Sequence, residues 1–268
     1  MRRRLRGAVC CTVAVSLLSA ACAARRQPVS RVAPAILPSA PHLEAVLQAR
    51  RDSVHSLRAL AQLRYHDREG SNTSREAIVV ARPDRLRVEV LSLFGSVFVL
   101  TADNGAISAY ARQDGTVYRG AASPQNLWRY ARLDLPVPDV VALMLATPPA
   151  ALGHSAQVSF DAEAGWIQLS QPSPRGTLVV SFSDALLPVA MAQYGGDGEV
   201  QWRATFSGYE KHAGSAIATE IAIEWPTWQR SMEVRLQDVE VNPVLDAAVF
   251  ALQTPPGSKV VQLDPVAD

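Results

Sequence analysis

The stretch from Arg85 to Thr101 reads RLRVEVLSLFGSVFVLT and decides the fold class. From Arg85 to Val90 apolar and charged residues alternate, and this period of two predicts a half-buried β-strand. Val97–Thr101 is a second β-rich run. The residues between the two runs predict a short loop, so the whole stretch is typical of two neighbouring strands in a mainly β domain.

The same kind of short β-rich run, bounded by turn residues, recurs on both sides of this stretch. Such runs occupy residues 57–119 and again 156–239, and the polar stretch 67–74 predicts a loop between the first two runs. Asp103-Asn104-Gly105 predicts a tight hairpin turn. Gly195–Gly198 predicts another turn between two longer runs. We expect about ten or eleven antiparallel strands, and this pattern favours a barrel or a strongly curved sheet.

A few helices complete the predicted mainly β (α+β) domain. Residues 42–56 carry apolar side chains at helical spacing, so an amphipathic helix opens the domain. Ser123 is a predicted N-cap with Pro124 at the first helical position. A third helix begins near Pro138, and Pro148-Pro149 ends it.

The N-terminus has the organisation of a signal peptide. Four arginines precede an apolar run, Gly7–Leu18, that is too short to span a membrane. The run leads into Leu18-Ser19-Ala20-Ala21-Cys22, which resembles the bacterial lipobox although Ser19 replaces the commoner Leu. We therefore expect residues 1–21 to be a lipoprotein signal peptide cleaved before Cys22. The alternative is an ordinary secretory peptide with a chance cysteine.

Cys22 is the only one of the three cysteines that lies outside this signal peptide. It cannot form an internal disulfide or a multi-thiolate zinc site, whereas acylation gives it a role as a membrane anchor. The expected groups on Cys22 are a diacylglyceryl and an N-terminal acyl group, with no other cofactor and no metal. Residues 22–41 are rich in Ala, Pro and Arg and predict a flexible tether, so the domain occupies 42–268.

Charge and motif content argue against several other classes of function. The formal charge is +1, and removal of the four signal-peptide arginines leaves 22 basic and 25 acidic residues, or about −3. Such a domain has no electrostatic footprint for nucleic acid. Gly153-His154-Ser155-Ala156-Gln157 is a near miss to a nucleophile elbow in an inverted helix–strand context, so we expect no enzyme. A hydrolase using Ser155 is the weakest hypothesis.

Several short segments resemble the LolA/LolB lipoprotein carrier superfamily, and LolB most closely. The segment RLRVEVLSLFGS looks like the strand, apolar loop and next strand of LolB proteins. Pro136–Leu145 is similar to their Pro-opened helix, and Phe206–Tyr209 to a later Gly-Tyr strand end. Phe250–Leu252 with Pro255–Gly257 resembles their closing strand and proline turn. The resemblance implies an open, strongly curved antiparallel half-barrel whose concave face is covered by helices.

The resemblance further implies an apolar cavity that holds acyl chains. Strand faces with alternating large apolar residues, and the predicted helix that begins near Pro138, supply its candidate wall. The alternative is that these residues simply form a filled core. The candidate cavity residues are Leu143, Met144, Trp202, Phe206, Ile221, Ile223, Trp225, Met232 and Val234.

Leu93, Phe94 and Gly95 form the candidate loop for membrane insertion or lipid transfer. In LolB proteins a protruding Leu in this loop is implicated in passing lipoproteins to the membrane, and Phe94 occupies that place here. Exposed apolar residues usually mark contacts. The alternative is a loop that folds back on the core.

These features favour a membrane-anchored lipid- or lipoprotein-binding module. We expect it to receive acylated lipoproteins, or lipid, from a periplasmic carrier protein and to insert them in the outer membrane without bond chemistry. Ala23 after Cys22 resembles an outer-membrane sorting signal, so the domain is expected in the periplasm as a lipid-anchored monomer. A non-transporting envelope scaffold, or a sensor of lipidated ligands, is the alternative.

Overall fold

The computed structural model describes residues 32–149 and 155–263. The predicted signal peptide, the lipidation site Cys22 and residues 22–31 of the tether lie outside the described residues. Within the described residues, no helix is long and apolar enough to cross a membrane.

Fourteen strands in the described residues form one large sheet. Alternation of large apolar and polar side chains gives most of them one buried and one exposed face, as expected for a curved sheet around a core. The strands are β1 (Ser56–Asp67), β2 (Gly70–Ala81), β3 (Arg85–Ser92), β4 (Gly95–Asp103), β5 (Ala106–Ala111), β6 (Thr116–Ala121), β7 (Gln157–Asp161), β8 (Trp166–Ser173), β9 (Gly176–Phe182), β10 (Pro188–Tyr194), β11 (Val200–His212), β12 (Ser215–Trp225), β13 (Arg230–Val241) and β14 (Lys259–Gln262).

The sheet consists of two meanders joined at one pair of strands. Its order is β14-β6-β5-β4-β3-β2-β1-β13-β12-β11-β10-β9-β8-β7, and every pair is antiparallel except β14 with β6. Antiparallel pairing of β1 with β13 joins the two meanders, with Leu57 opposite Val241 and His66 opposite Ser231. The sheet does not close, because β14 and β7 stand at its two ends. The predicted open, curved half-barrel is confirmed.

Three α-helices accompany the sheet: α1 (Ala40–Ser53), α2 (Pro124–Ala131) and α3 (Val137–Met144). Ser123 caps α2 as predicted, since its hydroxyl accepts the backbone N–H of Asn126 at 3.2 Å. Helix α3 packs against β2 and β3 and is buried along most of its length. Leu43 and Leu47 of α1 and Leu127 of α2 belong to the same core as the buried residues of α3. All three helices therefore cover the concave side of the sheet.

Three arginines fix the segment that follows α3. Arg50 of α1 donates hydrogen bonds to the carbonyl oxygens of Ala146 at 3.0 Å and Ala216 at 2.6 Å. Arg51 donates to the carbonyl of Pro148, and Arg82 to the hydroxyl of Thr147. Burial, and then the neighbouring charges of Arg51 and Arg50, lower the pKa of Arg82 to about 10. The buried carbonyls after the end of α3, which have no partner within the helix, thereby accept hydrogen bonds from cations, and cations also suit the helix dipole.

The structure differs from the sequence prediction in three places. There are fourteen strands rather than ten or eleven, and one of the additional strands is β14, whose four residues lie beyond the predicted runs and form a strand by pairing in parallel with β6. Of the polar stretch 67–74, predicted as a loop, residues 70–74 extend β2 instead, since β1 pairs with all of them. Phe250 ends a 3₁₀ helix, Ala247–Phe250, so the strand predicted at Phe250–Leu252 is wrong.

Candidate functional site

A cavity of about 500 Å³ lies between the concave face of the sheet and the segment from α2 to α3. This volume lies within the range of small-molecule pockets, about 300–1,000 Å³. Its apolar wall comprises Leu63, Ile78, Leu86, Val88, Val90, Phe98, Leu100, Tyr130, Ala131, Leu133, Val140, Met144, Ile223, Met232 and Val234. Its polar part comprises Tyr65, Asp67, Glu69, Gly70, Ser71, Asn72, Ser74, Glu76 and Arg132.

Strand periodicity explains why these residues share one surface. Cross-strand register places Ile78 opposite Ala59 and Val88, and Glu76 opposite Ala61 and Val90. Residues two apart on each strand point to the same face of a sheet. The concave face is therefore one continuous and mainly apolar surface from β4 to β12, and the cavity is the part of it that the helices do not fill.

The nine predicted cavity residues fall into two groups. Met144, Ile223, Met232 and Val234 line the cavity. The other five lie on the same concave side, are at most 4% exposed, and pack in the core beside the cavity without lining it: Leu143, Trp202, Phe206, Ile221 and Trp225. Both alternatives from the sequence thus occur on one face, a filled core and an open cavity. Contact of any of these residues with an acyl chain stays a prediction.

The Leu93–Phe94 loop projects into solvent between β3 and β4. Leu93 is 98% exposed and Phe94 is 86% exposed, so the alternative of a loop folded back on the core is wrong. The Ser92 hydroxyl donates to the carbonyl of Gly95 at 2.8 Å and accepts the N–H of Phe94 at 3.2 Å. Arg112 donates to the Phe94 carbonyl at 2.9 Å. The loop backbone is therefore held in place while both apolar side chains point outward.

The backbone of Gly95 permits this tight loop. Its φ is +96°, in the left-handed half of the conformational map that residues with a Cβ rarely adopt. Open space surrounds the position that a Cβ would take. The glycine is required by its backbone conformation and not by close packing.

The cavity opens at the same end of the sheet as this loop. The β1–β2 turn follows Asp67, the β3–β4 loop follows Ser92, and the β12–β13 turn, residues 226–229, precedes Arg230. These strands pair in order from β4 through β1 and β13 to β12, so their turns lie along one edge, here called the mouth rim. Asp67 and Asn72 line the cavity, which places its opening at the mouth rim.

Glu76 is a buried carboxyl group in the otherwise apolar part of the wall. It is only 6% exposed, and its Oε1 accepts a hydrogen bond from the Ser74 hydroxyl at 2.8 Å. Burial raises its pKa, and the Ser74 hydrogen bond opposes that shift. Sequence reasoning missed Glu76 because the polar residues before it were interpreted as a loop, although the alternation of Ser74, Glu76 and Ile78 places them on one face.

No catalytic or metal centre is evident in the described part of the chain. Ser155 is exposed in a turn just before β7, and Gly153 and His154 lie outside the described residues. In residues 32–149 and 155–263, no three His, Cys, Asp or Glu residues cluster as metal ligands.

The fold and cavity define a class, an open antiparallel half-barrel whose concave face is covered by helices and encloses a cavity. No protein-family model matches the sequence, and no curated protein matches it. Among solved structures, a domain described as an outer membrane lipoprotein-sorting protein from Vibrio parahaemolyticus is 14% identical, with a TM-score of 0.58 over 79% of this chain and 97% of that one.

Two further structures share the fold. A DUF1329 family protein from Desulfovibrio piger is 13% identical, with a TM-score of 0.59 over 79% of this chain and 95% of that one. A LolA superfamily protein from Nitrosomonas europaea is 9% identical, with a TM-score of 0.54 over 81% of this chain and 99% of that one. At these identities the similarity establishes the fold alone.

Proposed function

We propose that this protein is a LolB-like envelope lipoprotein that binds acyl chains of lipoproteins or phospholipids in its concave cavity. The observation that carries the proposal is the apolar cavity of about 500 Å³ under α2 and α3. Hydrophobic transfer favours an acyl chain in such a cavity by about 0.8 kcal/mol for each buried methylene. No bond chemistry takes part, so the protein works by binding and release and not as an enzyme.

The second part of the proposal is delivery to the outer membrane. Leu93 and Phe94 project from the mouth rim where the cavity opens, so an apolar tip and an apolar cavity reach the same lipid surface. A diacylglyceryl and acyl group on Cys22 would hold the domain at that membrane, and a periplasmic carrier protein would supply the cargo. The lipoprotein-sorting domain of similar fold supports this direction.

Direct binding tests the first part. The mature chain carrying Cys22→Ser is used, so that its own acyl groups cannot occupy the cavity. Native mass spectrometry and titration with a palmitoylated peptide measure occupancy. Wild type should bind, and Val88→Trp, which fills the cavity wall, should abolish binding.

A matched control places the same side chain on the other face. Val97 alternates with the cavity residue Phe98 and is 39% exposed, so Val97→Trp adds equal bulk outside the cavity. This variant should bind like wild type. Absence of acyl binding by the wild-type domain would overturn the proposal. Binding without delivery to acceptor vesicles would instead favour a scaffold or a sensor of lipidated ligands.

A further inference from the structure

Two arginines meet one tryptophan at the mouth rim. Trp128 lies on α2, Arg132 follows the end of that helix with a φ of +57°, and Arg230 begins β13. The guanidinium carbon of Arg230 lies 3.8 Å from the centroid of the Trp128 ring, and that of Arg132 lies 5.3 Å from the same centroid. The two carbons are therefore at most about 9 Å apart, the sum of the two distances, and cation–π attraction holds both against one indole.

Neither guanidinium has an ion-pair partner in the part of the chain that the structure describes. Among residues 32–149 and 155–263, no carboxylate forms a salt bridge with Arg132 or Arg230. Asp67 interacts electrostatically with Arg230, but the Asp67 Oδ1 already accepts the backbone N–H groups of Glu69 at 2.8 Å and Gly70 at 3.2 Å. The two guanidinium groups beside Trp128 are therefore still available to bind an anion.

The neighbouring charges leave this part of the mouth rim positive. Glu69 lines the cavity with Asp67, and Arg68 donates to the side-chain oxygen of Gln229 at 3.1 Å. At the mouth rim, Arg68, Arg132 and Arg230 outnumber Asp67 and Glu69, while Glu76 lies in the buried part of the wall. The excess charge lies on the α2 side, where Arg132 and Arg230 share Trp128.

The positive group adjoins the apolar cavity directly. Arg132 is itself part of the cavity wall, next to Ala131 and Leu133. Tyr65, also in the wall, lies 6.5 Å from Trp128 between ring centroids. A molecule whose chain fills the cavity would place its polar end against this arginine pair.

We propose that Arg132 and Arg230 bind the anionic, phosphate-type headgroup of an amphiphile whose acyl or alkyl chain occupies the cavity. This inference rests on the proposed function and adds the class of ligand. Guanidinium groups match phosphate oxygens with paired, charge-assisted hydrogen bonds. Stacking on Trp128 orients the guanidinium groups before the ligand arrives, which lowers the ordering cost of binding.

The test compares two ligands with the same chain. Hexadecyl phosphate and hexadecyl maltoside are titrated into the mature Cys22→Ser chain by calorimetry, below their critical micelle concentrations. In wild type both should bind, with the phosphate tighter. Arg132→Gln combined with Arg230→Gln should weaken the phosphate ligand about tenfold or more, the scale of one or two charge-assisted hydrogen bonds. Affinity for the maltoside should change by less than about twofold, because its head carries no charge.

Two further variants control for charge and fold. Arg64→Gln with Arg235→Gln removes the same charge from the convex face, where these residues alternate with the cavity residues Leu63 and Val234. It should leave both affinities near wild type. Arg132→Lys with Arg230→Lys keeps the charge and should retain part of the phosphate preference. Retained maltoside binding in each variant reports an intact cavity.

The outcomes separate this inference from the proposed function. Equal affinity for the two ligands in wild type, or equal loss in the convex-face control, would overturn the headgroup site and leave the cavity intact. Failure of both ligands to bind wild type would overturn the proposed function itself. Inorganic phosphate should not displace hexadecyl phosphate at equal concentration. Displacement would indicate a free-anion site and would also overturn the inference.

Discussion

Replacing the two exposed residues of the β3–β4 loop, Leu93→Ser with Phe94→Ser, should weaken membrane association without weakening the fold. In solution neither side chain contributes burial, since Leu93 is 98% and Phe94 86% exposed. The free energy of unfolding should therefore change by less than about 0.5 kcal/mol. At a membrane the same exposure becomes an advantage, because nearly the whole of both side chains is available for insertion.

The size of the membrane effect follows from that exposed surface. Full burial of a Leu or Phe side chain contributes about 1.5–3 kcal/mol, so insertion of both contributes about 3–6 kcal/mol. Because 1.4 kcal/mol is a factor of ten, the double substitution should lower the vesicle partition coefficient by about 100-fold or more. The backbone contacts of Ser92 and Arg112 remain in the variant, so the loop keeps its position.

Sedimentation with phospholipid vesicles measures this effect in the Cys22→Ser background, where no acyl anchor masks the loop. Val244→Ser is the matched control. Val244 is 99% exposed and follows Asn242, which bonds to Ser56 at the start of β1, at the rim opposite the mouth. Unchanged partition of the double variant, or an equal loss in Val244→Ser, would refute insertion of the β3–β4 loop.

Three further predictions concern stability and are measured by urea unfolding. Arg50→Met should lower the free energy of unfolding by about 2–4 kcal/mol, because it leaves buried carbonyls without a partner. The control Arg58→Met, at an exposed arginine, should lower it by at most about 1 kcal/mol. Similar losses in the two variants would contradict the buried contact. Burial raises the pKa of Glu76 above its ordinary 4.5, so the stability linked to its protonation is present below pH 4.5 and is lost as pH rises through the raised value. In Glu76→Gln the free energy of unfolding should therefore decline less with rising pH than in wild type. Parallel pH profiles of the two proteins would contradict this prediction. Gly208→Ala should lower the free energy of unfolding by at least about 1 kcal/mol, since φ is +62° and the added Cβ would lie 2.6 Å from the Thr219 hydroxyl. A urea midpoint equal to that of wild type would show that β11 accommodates the methyl group.

Much of the fold was predictable because its signals are local. Alternation in β3, the Asn104-Gly105 turn and the Ser123 cap each depend on a few adjacent residues, and each appears in the structure. The extent of β2 was not predictable in this way. Its residues 70–75 are polar and become a strand only because β1 lies beside them, a partner that local sequence does not reveal.

The site was predictable only in part, for a related reason. The period of two placed Ile221 and Ile223 correctly on the concave face, but one lies in the filled core and the other in the cavity wall. That difference depends on where the helices stop covering the sheet. The pairing of Arg132 and Arg230 on Trp128 joins residues that are far apart in the chain, so no local motif could indicate it.

The strand pair that joins the two meanders also constrains how the chain can fold. Arg58 of β1 bonds to Glu240 of β13 across 182 positions of sequence. Closing so large a loop costs conformational entropy and slows folding, because the stabilising contacts between β1 and β13 form only after the two strands meet. Until β13 arrives, β1 has a bare edge of unpaired backbone groups that invites pairing with other chains. We therefore expect a chain truncated before Arg230 to aggregate rather than to form a stable half, because the last long strand completes the middle of the sheet.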